Sequence, residues 1–308
     1  MKKVIITGVA GFIGKALARY LLQKDMFVYG YDRTESNIEE LLENPLFVFV
    51  LADDEGFRPL VQKVQNEDID VFYHFAWRGG FTDALKDYAL QFQNATLACQ
   101  ALEAANKLSV KKFVYAGTYN EFEIQNFIQD ENFEPRLTCI YATAKLSADL
   151  VCRTLAYNYG MEYCSGLITM PCGEGNYSKQ LVNVVVDQLN KGQSPKLVAG
   201  NNLYDIVDIR DIVRAFEAIG RLGKTQKRYY IGHRKLKTFR ELMIQIRDII
   251  NKNVELKFGE YKDNQNIDYS MIDLNALYND TGFECECDFE DSIKITSEWV
   301  KKLNYEKN

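Results

Sequence analysis

The stretch Val4-Ile5-Ile6-Thr7-Gly8-Val9-Ala10-Gly11-Phe12-Ile13-Gly14 decides the fold. Val4–Thr7 is short, apolar and β-branched, which reads as a buried strand. The pattern from about Phe12 to Lys24 is that of a helix, and three glycines spaced G-x-x-G-x-x-G separate the two. Glycine lets the chain turn tightly there and lets backbone N–H groups approach a pyrophosphate at the helix N-terminus. Gly8, Gly11, Phe12, Ile13 and Gly14 are therefore candidate cofactor-binding residues, although a glycine turn alone can be purely structural. The same stretch imitates a secretory leader, with Lys2-Lys3, an apolar run and Ala16-Leu17-Ala18. Lys15 and the glycines interrupt that run, so the strand–turn–helix reading is preferred and a cytoplasmic location is expected.

Outward from this stretch, Phe27–Tyr31, Phe47–Leu51, Val71–Phe75, Phe113–Ala116 and Glu162–Thr169 read as further strands. Helical patterns near 12–24, 55–66, 82–107 and 136–160 alternate with them, which implies a parallel sheet with helices on both faces. Asp32 ends the second strand, 24 residues after Gly8, where a carboxylate accepts hydrogen bonds from the adenosine ribose hydroxyls. A carboxylate there repels a 2′-phosphate and favours NAD, whereas the adjacent Arg33 would welcome NADP. Asp53, after the third strand, is a candidate for the adenine or an ordinary loop residue.

Beyond residue 170 the rhythm loosens into helical patterns near 178–192, 209–222, 238–252, 272–280 and 288–303. This divides the chain into a first part over 1–170 and a second over 171–308, some segments of which return to the first; the resemblance given below implies that they are a Rossmann-type domain and a smaller α/β substrate-binding domain. The 308 residues include 37 Lys+Arg and 43 Asp+Glu, for a net charge of −6, which argues against a nucleic-acid partner. No apolar stretch approaches the length of a membrane span. Seven scattered cysteines without a C-x-x-C pair, and two histidines, suit neither a zinc site nor a disulfide framework. Cys285 and Cys287 read as alternation in a short strand or edge.

Tyr141-Ala142-Thr143-Ala144-Lys145 places a phenol and an ammonium one helical turn apart. The ammonium is expected to stabilise phenolate and lower the Tyr141 pKa. Spacing alone is weak, because Tyr20 and Lys24 make a second such pair that reads as surface decoration. Context separates them: the strand Phe113–Ala116 leads into Gly117-Thr118, at the strand end where ligands sit in an open parallel sheet.

Gly8–Gly14, Asp32, His74-Phe75-Ala76, Gly117-Thr118 and Tyr141-x-x-x-Lys145 together resemble the extended short-chain dehydrogenase/reductase superfamily, and more narrowly its nucleotide-sugar epimerase/dehydratase/reductase branch. Asn94, Ala104-Ala105, Tyr230-Ile231-Gly232, Thr281-Gly282-Phe283 and Trp299 resemble later landmarks of that branch. The resemblance implies that Tyr141 is the acid/base, that Lys145 binds the nicotinamide ribose and tunes Tyr141, and that Thr118 orients the substrate oxygen. It makes His74 structural, adds Phe75 and Ala76 to the cofactor site, and puts Thr118, Tyr119, Asn120 and Met170 at the substrate. Helices near 82–107 and 141–158 are similar to those of the family's four-helix interface, implying a homodimer.

Dehydratases of this branch carry Asp-Glu directly after the catalytic Thr. Here Tyr119-Asn120 stand there, with Glu121 one place later, which disfavours dehydration. The branch's substrate-phosphate Arg and Asn align with Tyr204 and Met170, leaving Lys179 or Arg210 as candidate replacements. The resemblance implies an NAD(P)-dependent 4-ketoreductase acting on a nucleoside-diphosphate sugar. A 4-epimerase with tightly bound NAD is the alternative, and a cofactor-binding sensor without catalysis is the alternative of another class.

Overall fold

The computed structural model describes residues 1–54, 56–79, 82–262 and 267–305. Its first half runs β1 (Lys3–Thr7), α1 (Phe12–Leu22), β2 (Phe27–Asp32), α2 (Glu39–Leu42), β3 (Phe47–Leu51), α3 (Arg58–Val64), β4 (Val71–His74), α4 (Tyr88–Lys107), β5 (Lys112–Thr118), α5 (Glu121–Gln129), α6 (Cys139–Tyr159) and β6 (Glu162–Ile168). The second runs β7 (Met170–Cys172), α7 (Leu181–Asn190), β8 (Lys196–Val198), β9 (Leu203–Tyr204), β10 (Ile206–Asp208), α8 (Ile209–Leu222), β11 (Lys227–Ile231), β12 (Lys237–Thr238), α9 (Phe239–Ile250), β13 (Lys257–Tyr261), α10 (Ala276–Thr281) and α11 (Phe289–Tyr305).

Seven strands form one sheet in the order β11-β6-β5-β4-β1-β2-β3, and every adjacent pair is parallel. This is a Rossmann-type doubly wound sheet. The chain leaves β1 toward β2 and β3, then returns to β4 on the other side, so a crevice opens where the direction reverses. Register brings Thr7 opposite both Tyr31 and His74, which aligns the strand ends that face it.

Two apolar layers cover the sheet. One joins Val4, Ile6 and Val28 to Leu17 and Leu21 of α1 and to Ile212, Phe216 and Ile219 of α8. The other joins Ile5, Phe72 and Phe113 to Leu60, Ala98, Leu102, Cys152 and Ala156 on α3, α4 and α6. Alanines at the α4–α6 contact allow those two helices to approach closely. A third core, with Val182, Val186, Leu242, Ile246 and Ile293, lies among α7, α9 and α11 and builds the smaller second unit with three two-stranded ladders. Strand β11 and helix α8 belong to the first core, although they come from the second half of the chain.

Helix ends differ from the sequence pattern for local reasons. The expected helix over 82–107 is a 3₁₀ turn, Thr82–Lys86, followed by α4, because the Asp87 side chain caps the new helix at Leu90 N. Helix α3 starts at Arg58 rather than near 55, with Pro59 in its first turn. Helix α1 ends at Leu22, before Asp25 at φ 56°. The strand expected at Cys285 and Cys287 is irregular chain, where the Asp211 carboxylate accepts the N–H groups of Glu286 and Cys287. Helix α5 was not evident in the sequence pattern. Two of the later landmarks have direct structural reasons: Gly282 ends α10 at φ 74°, and a Cβ at Gly232 would sit 2.1 Å from Asp205 Oδ2.

Candidate active site

Helix α1 begins with Gly11 as an extended N-cap, with no capping side chain and no acidic residue in the first turn. Its first N–H groups thus have neither an intrahelical partner nor a competing carboxylate, the condition for receiving an anion. Gly8 turns at φ 72°, and a Cβ there would lie 2.7 Å from Ala76 N. A Cβ on Gly14 would lie 2.2 Å from Gly8 O. The glycines are therefore required by close approach of backbone to backbone. Asp32 is fastened to the same turn: Oδ2 accepts the Ala10 N–H at 2.9 Å and Oδ1 the Arg33 N–H at 2.7 Å. The Arg33 side chain is exposed. Asp53 lies in the exposed turn after β3, in a bridge with Gly56.

From this turn a cavity of about 480 Å³ extends between the sheet's C-terminal edge and the second unit. Gly8, Gly11, Phe12, Ile13, Gly14 and Phe75 line it together with Thr118, Tyr119, Asn120, Tyr141, Lys145 and Met170. Asp32, Arg33, Asp53 and Ala76 are outside that lining; Ala76 supports Gly8 from behind. Trp77, Arg136, Thr138, Thr169, Lys179 and Gln180 also face the cavity. Of these, only Lys179 had been singled out from the sequence. Trp77 had a signal, since it directly follows Phe75-Ala76 at the end of β4.

Tyr141 and Lys145 lie on one face of α6, and Thr118 ends β5 beside them. The Thr118 hydroxyl hydrogen-bonds the Tyr141 side chain. Lys145 Nζ donates to Ala116 O at 2.8 Å and sits 3.9 Å from the centre of the Trp77 ring. Trp77 also meets Tyr141 edge to face at 6.1 Å between ring centres. The expected lowering of the Tyr141 pKa is not what this protein alone provides. Burial pushes it well up and the Glu121 charge adds to this, with the Thr118 bond opposing both. Burial correspondingly pushes the Lys145 ammonium down, and Glu121 supports it. His74 is buried and bonded to Thr7 Oγ1 at 2.8 Å, with its pKa lowered to about 3 by burial and then by Lys145, so it is neutral and structural.

The two glutamates that could have supplied dehydration chemistry are engaged elsewhere. Glu121 accepts the Thr118 N–H at 2.9 Å and pairs with Arg228, while Glu123 holds Arg136 through both carboxylate oxygens at 2.9 and 2.6 Å. Neither faces the cavity. Tyr204 is sealed in the second core against Phe239, and Arg210 is held by Asp208 at 2.9 and 2.8 Å. Lys179 reaches the cavity wall from an exposed position. Asn94 ties the loop after β4 to α4 through both the N–H and the carbonyl of Arg78.

The fold and this arrangement define a class: a Rossmann-type protein with a glycine turn at the start of α1 and with Thr118, Tyr141 and Lys145 gathered at one cavity. The chain belongs to the NAD-dependent epimerase/dehydratase family, whose model matches residues 4–232. It is similar to a UDP-glucuronate 4-epimerase of Thermodesulfobacterium geofontis, 28% identical over 51% of this chain and 52% of that one. A dTDP-glucose 4,6-dehydratase of Streptomyces griseus is 22% identical over 97% and 94% of the two chains. Among solved structures, UDP-glucuronic acid 4-epimerase from Bacillus cereus in complex with NAD superposes with a TM-score of 0.79 at 21% identity, covering 98% and 99%. The chain is thus an enzyme of a nicotinamide-dependent family. The uncapped turn of α1 and the carboxylate of Asp32 fit NAD, whose pyrophosphate and ribose they would hold.

If Asp32 pairs with the ribose diol, NAD binds more tightly than NADP, and Asp32→Ala narrows the gap. Competitive titration of both cofactors checks this. A wild-type preference for NADP would show that Arg33 governs the choice.

Proposed function

We propose that the protein is an NAD(P)-dependent 4-ketoreductase acting on a nucleoside-diphosphate sugar. The observation that carries this reading is a single acid/base set, Thr118–Tyr141–Lys145, in a cavity that the dinucleotide turn also lines. Glu121 and Glu123 are withdrawn into ion pairs, which supports simple carbonyl reduction over elimination. Tyr141 donates its proton to the sugar's C4 oxygen, and the Thr118 hydroxyl orients that oxygen and the phenol. Lys145 binds the nicotinamide ribose and lends its positive charge to the phenolate left behind. NAD(P)H, when bound, supplies the hydride to C4. Lys179 meets the diphosphate. In this reading Tyr119, Asn120 and Met170 contact the sugar.

The same set run forward and back would epimerise C4 with NAD retained, and the partial match to a UDP-glucuronate 4-epimerase favours keeping that second reading. Turnover on a panel of nucleotide sugars, followed by nicotinamide absorbance and sugar configuration together, separates the two. Net cofactor consumption identifies the reductase, and a changed sugar without consumption identifies the epimerase. Cofactor binding with no turnover on any sugar would favour the sensor.

We further propose a homodimer through α4 and α6. These helices pack on each other and expose the large apolar side chains Tyr88, Phe92, Leu150, Val151 and Tyr157, and exposed apolar patches mark interaction surfaces. Sedimentation at micromolar concentration should give a dimer; monomer alone would refute the interface.

A further inference from the structure

A chain of charges lies beneath the acid/base set and is not used in the mechanism above. Glu121, wholly buried at the start of α5, accepts the Thr118 N–H at 2.9 Å with Oε1 and the Arg228 guanidinium at 2.6 Å with Oε2. Arg228, from β11, also approaches Asp149 Oδ2 at 2.9 Å, and Asp149 Oδ1 accepts the Tyr163 hydroxyl at 2.7 Å. Gly117 makes room for this arrangement, since a Cβ there would meet Glu121 Oε1 at 2.7 Å. A carboxylate taken fully out of water is costly unless it is paired and hydrogen-bonded, so its place directly under Thr118 calls for a reason.

Resting on the reading of the site given above, we propose that Glu121 is a positioning residue for the hydride-transfer site: its carboxylate fixes the Thr118 main chain and places one negative charge under Tyr141 and Lys145. The groups around that charge come from every neighbouring element. They are Tyr115 from β5, Tyr141, Lys145 and Asp149 from α6 and Arg228 from β11, while His74 from β4 adjoins Lys145 and Tyr163 from β6 adjoins Asp149. Lys145 otherwise has a carbonyl and two aromatic rings about its ammonium, and Glu121 is the carboxylate that favours its charged form. The sign is the same for both partners. A negative charge makes it harder to remove a proton from Tyr141 and from Lys145, so loss of that charge lowers both pKa values. Burial and then Asp149 push the Glu121 carboxyl itself up to about 7, with Arg228 and the Thr118 N–H opposing them, so the support it lends the Lys145 ammonium and the Tyr141 proton grows as pH rises through that value.

The test is Glu121→Gln, which retains an acceptor for the Thr118 N–H and removes the charge. Carbon NMR of isotopically labelled lysine side chains, with the Lys145 signal assigned by its loss in Lys145→Arg, follows the ammonium directly in the NAD complex. Its midpoint is expected to fall by about one pH unit. In turnover assays both limbs of the pH profile should move acidward by a similar amount. A merely structural role would lower turnover at every pH without moving either midpoint, and that result overturns the proposal. If Glu121→Gln fails to fold, Glu121→Gln combined with Arg228→Lys relaxes the cluster while keeping a cation for Asp149, and an unmoved Lys145 midpoint there overturns it equally. The NMR shift requires no substrate. A moved midpoint in a protein without turnover on any nucleotide sugar would sink the functional reading and leave the placement of Glu121 intact.

Discussion

Tyr141→Phe is expected to lower turnover by about 10²–10⁴-fold while leaving the fold and cofactor affinity in place. The substitution removes one hydroxyl from a ring that stays packed edge to face on Trp77 at 6.1 Å. It takes away the hydroxyl that shares a hydrogen bond with Thr118 and that, in the proposed mechanism, exchanges a proton with the sugar oxygen. That loss corresponds to roughly 3–5 kcal/mol of transition-state stabilisation. Tyr20→Phe is the matched control. Tyr20 also has a lysine four residues on, with Lys24 Nζ 4.5 Å from its ring centre, but it lies on the flank of α1 away from the cavity. Its loss should change turnover little. Near-wild-type activity in a folded Tyr141→Phe protein would refute the assigned chemistry whatever the fold.

The second large effect concerns the turn that receives the cofactor. Gly14→Ala places a methyl group 2.2 Å from Gly8 O, and backbone cannot yield as a flexible side-chain tip can. Forced overpacking of this kind costs about 1–3 kcal/mol. If this turn presents its N–H groups to the pyrophosphate, as proposed, NAD affinity should fall by roughly ten- to a hundredfold. Gly160→Ala is the comparison. Gly160 ends α6 at φ 70° with no atom near its missing Cβ, so alanine there strains the backbone locally and leaves the turn untouched. Isothermal titration of NAD into both variants checks the difference. Equal affinities would show that the close approach of Gly8 and Gly14 is not what shapes the cofactor site.

Much of the architecture was legible because parallel strands buried on both faces must be short, apolar and β-branched. Val4–Thr7 and Phe47–Leu51 announce themselves in this way, and Gly14 is constrained by the backbone of Gly8 close by in sequence. Helix α5 was hidden for the opposite reason. Its Glu-Phe-Glu start reads as a solvated face, yet Glu121 and Glu123 are buried by Arg228 and Arg136, 107 and 13 residues away along the chain. The raised pKa of Tyr141 was hidden likewise, because the spacing to Lys145 shows a nearby cation but neither the burial nor the Glu121 charge that opposes it. Arg210 and Tyr204 show the same limit. Arg210 was a candidate for the diphosphate, whereas Asp208 holds it; Tyr204, which stands where the branch has its phosphate Arg, is covered by Phe239.

The central claim is that this cavity moves a hydride to C4 of a nucleotide-linked sugar with Tyr141 as the proton donor. The direct measurement is isotopic: the protein is incubated with reduced nicotinamide cofactor carrying deuterium at its transferable position and with a panel of nucleotide 4-ketosugars. NMR and mass spectrometry then locate the label. The account predicts deuterium bonded to the sugar's C4 in a single configuration, with one cofactor oxidised per sugar reduced, and no label transferred by Tyr141→Phe above a small residual rate. Cofactor bound by the wild-type protein, with no deuterium reaching C4 of any sugar, would contradict it.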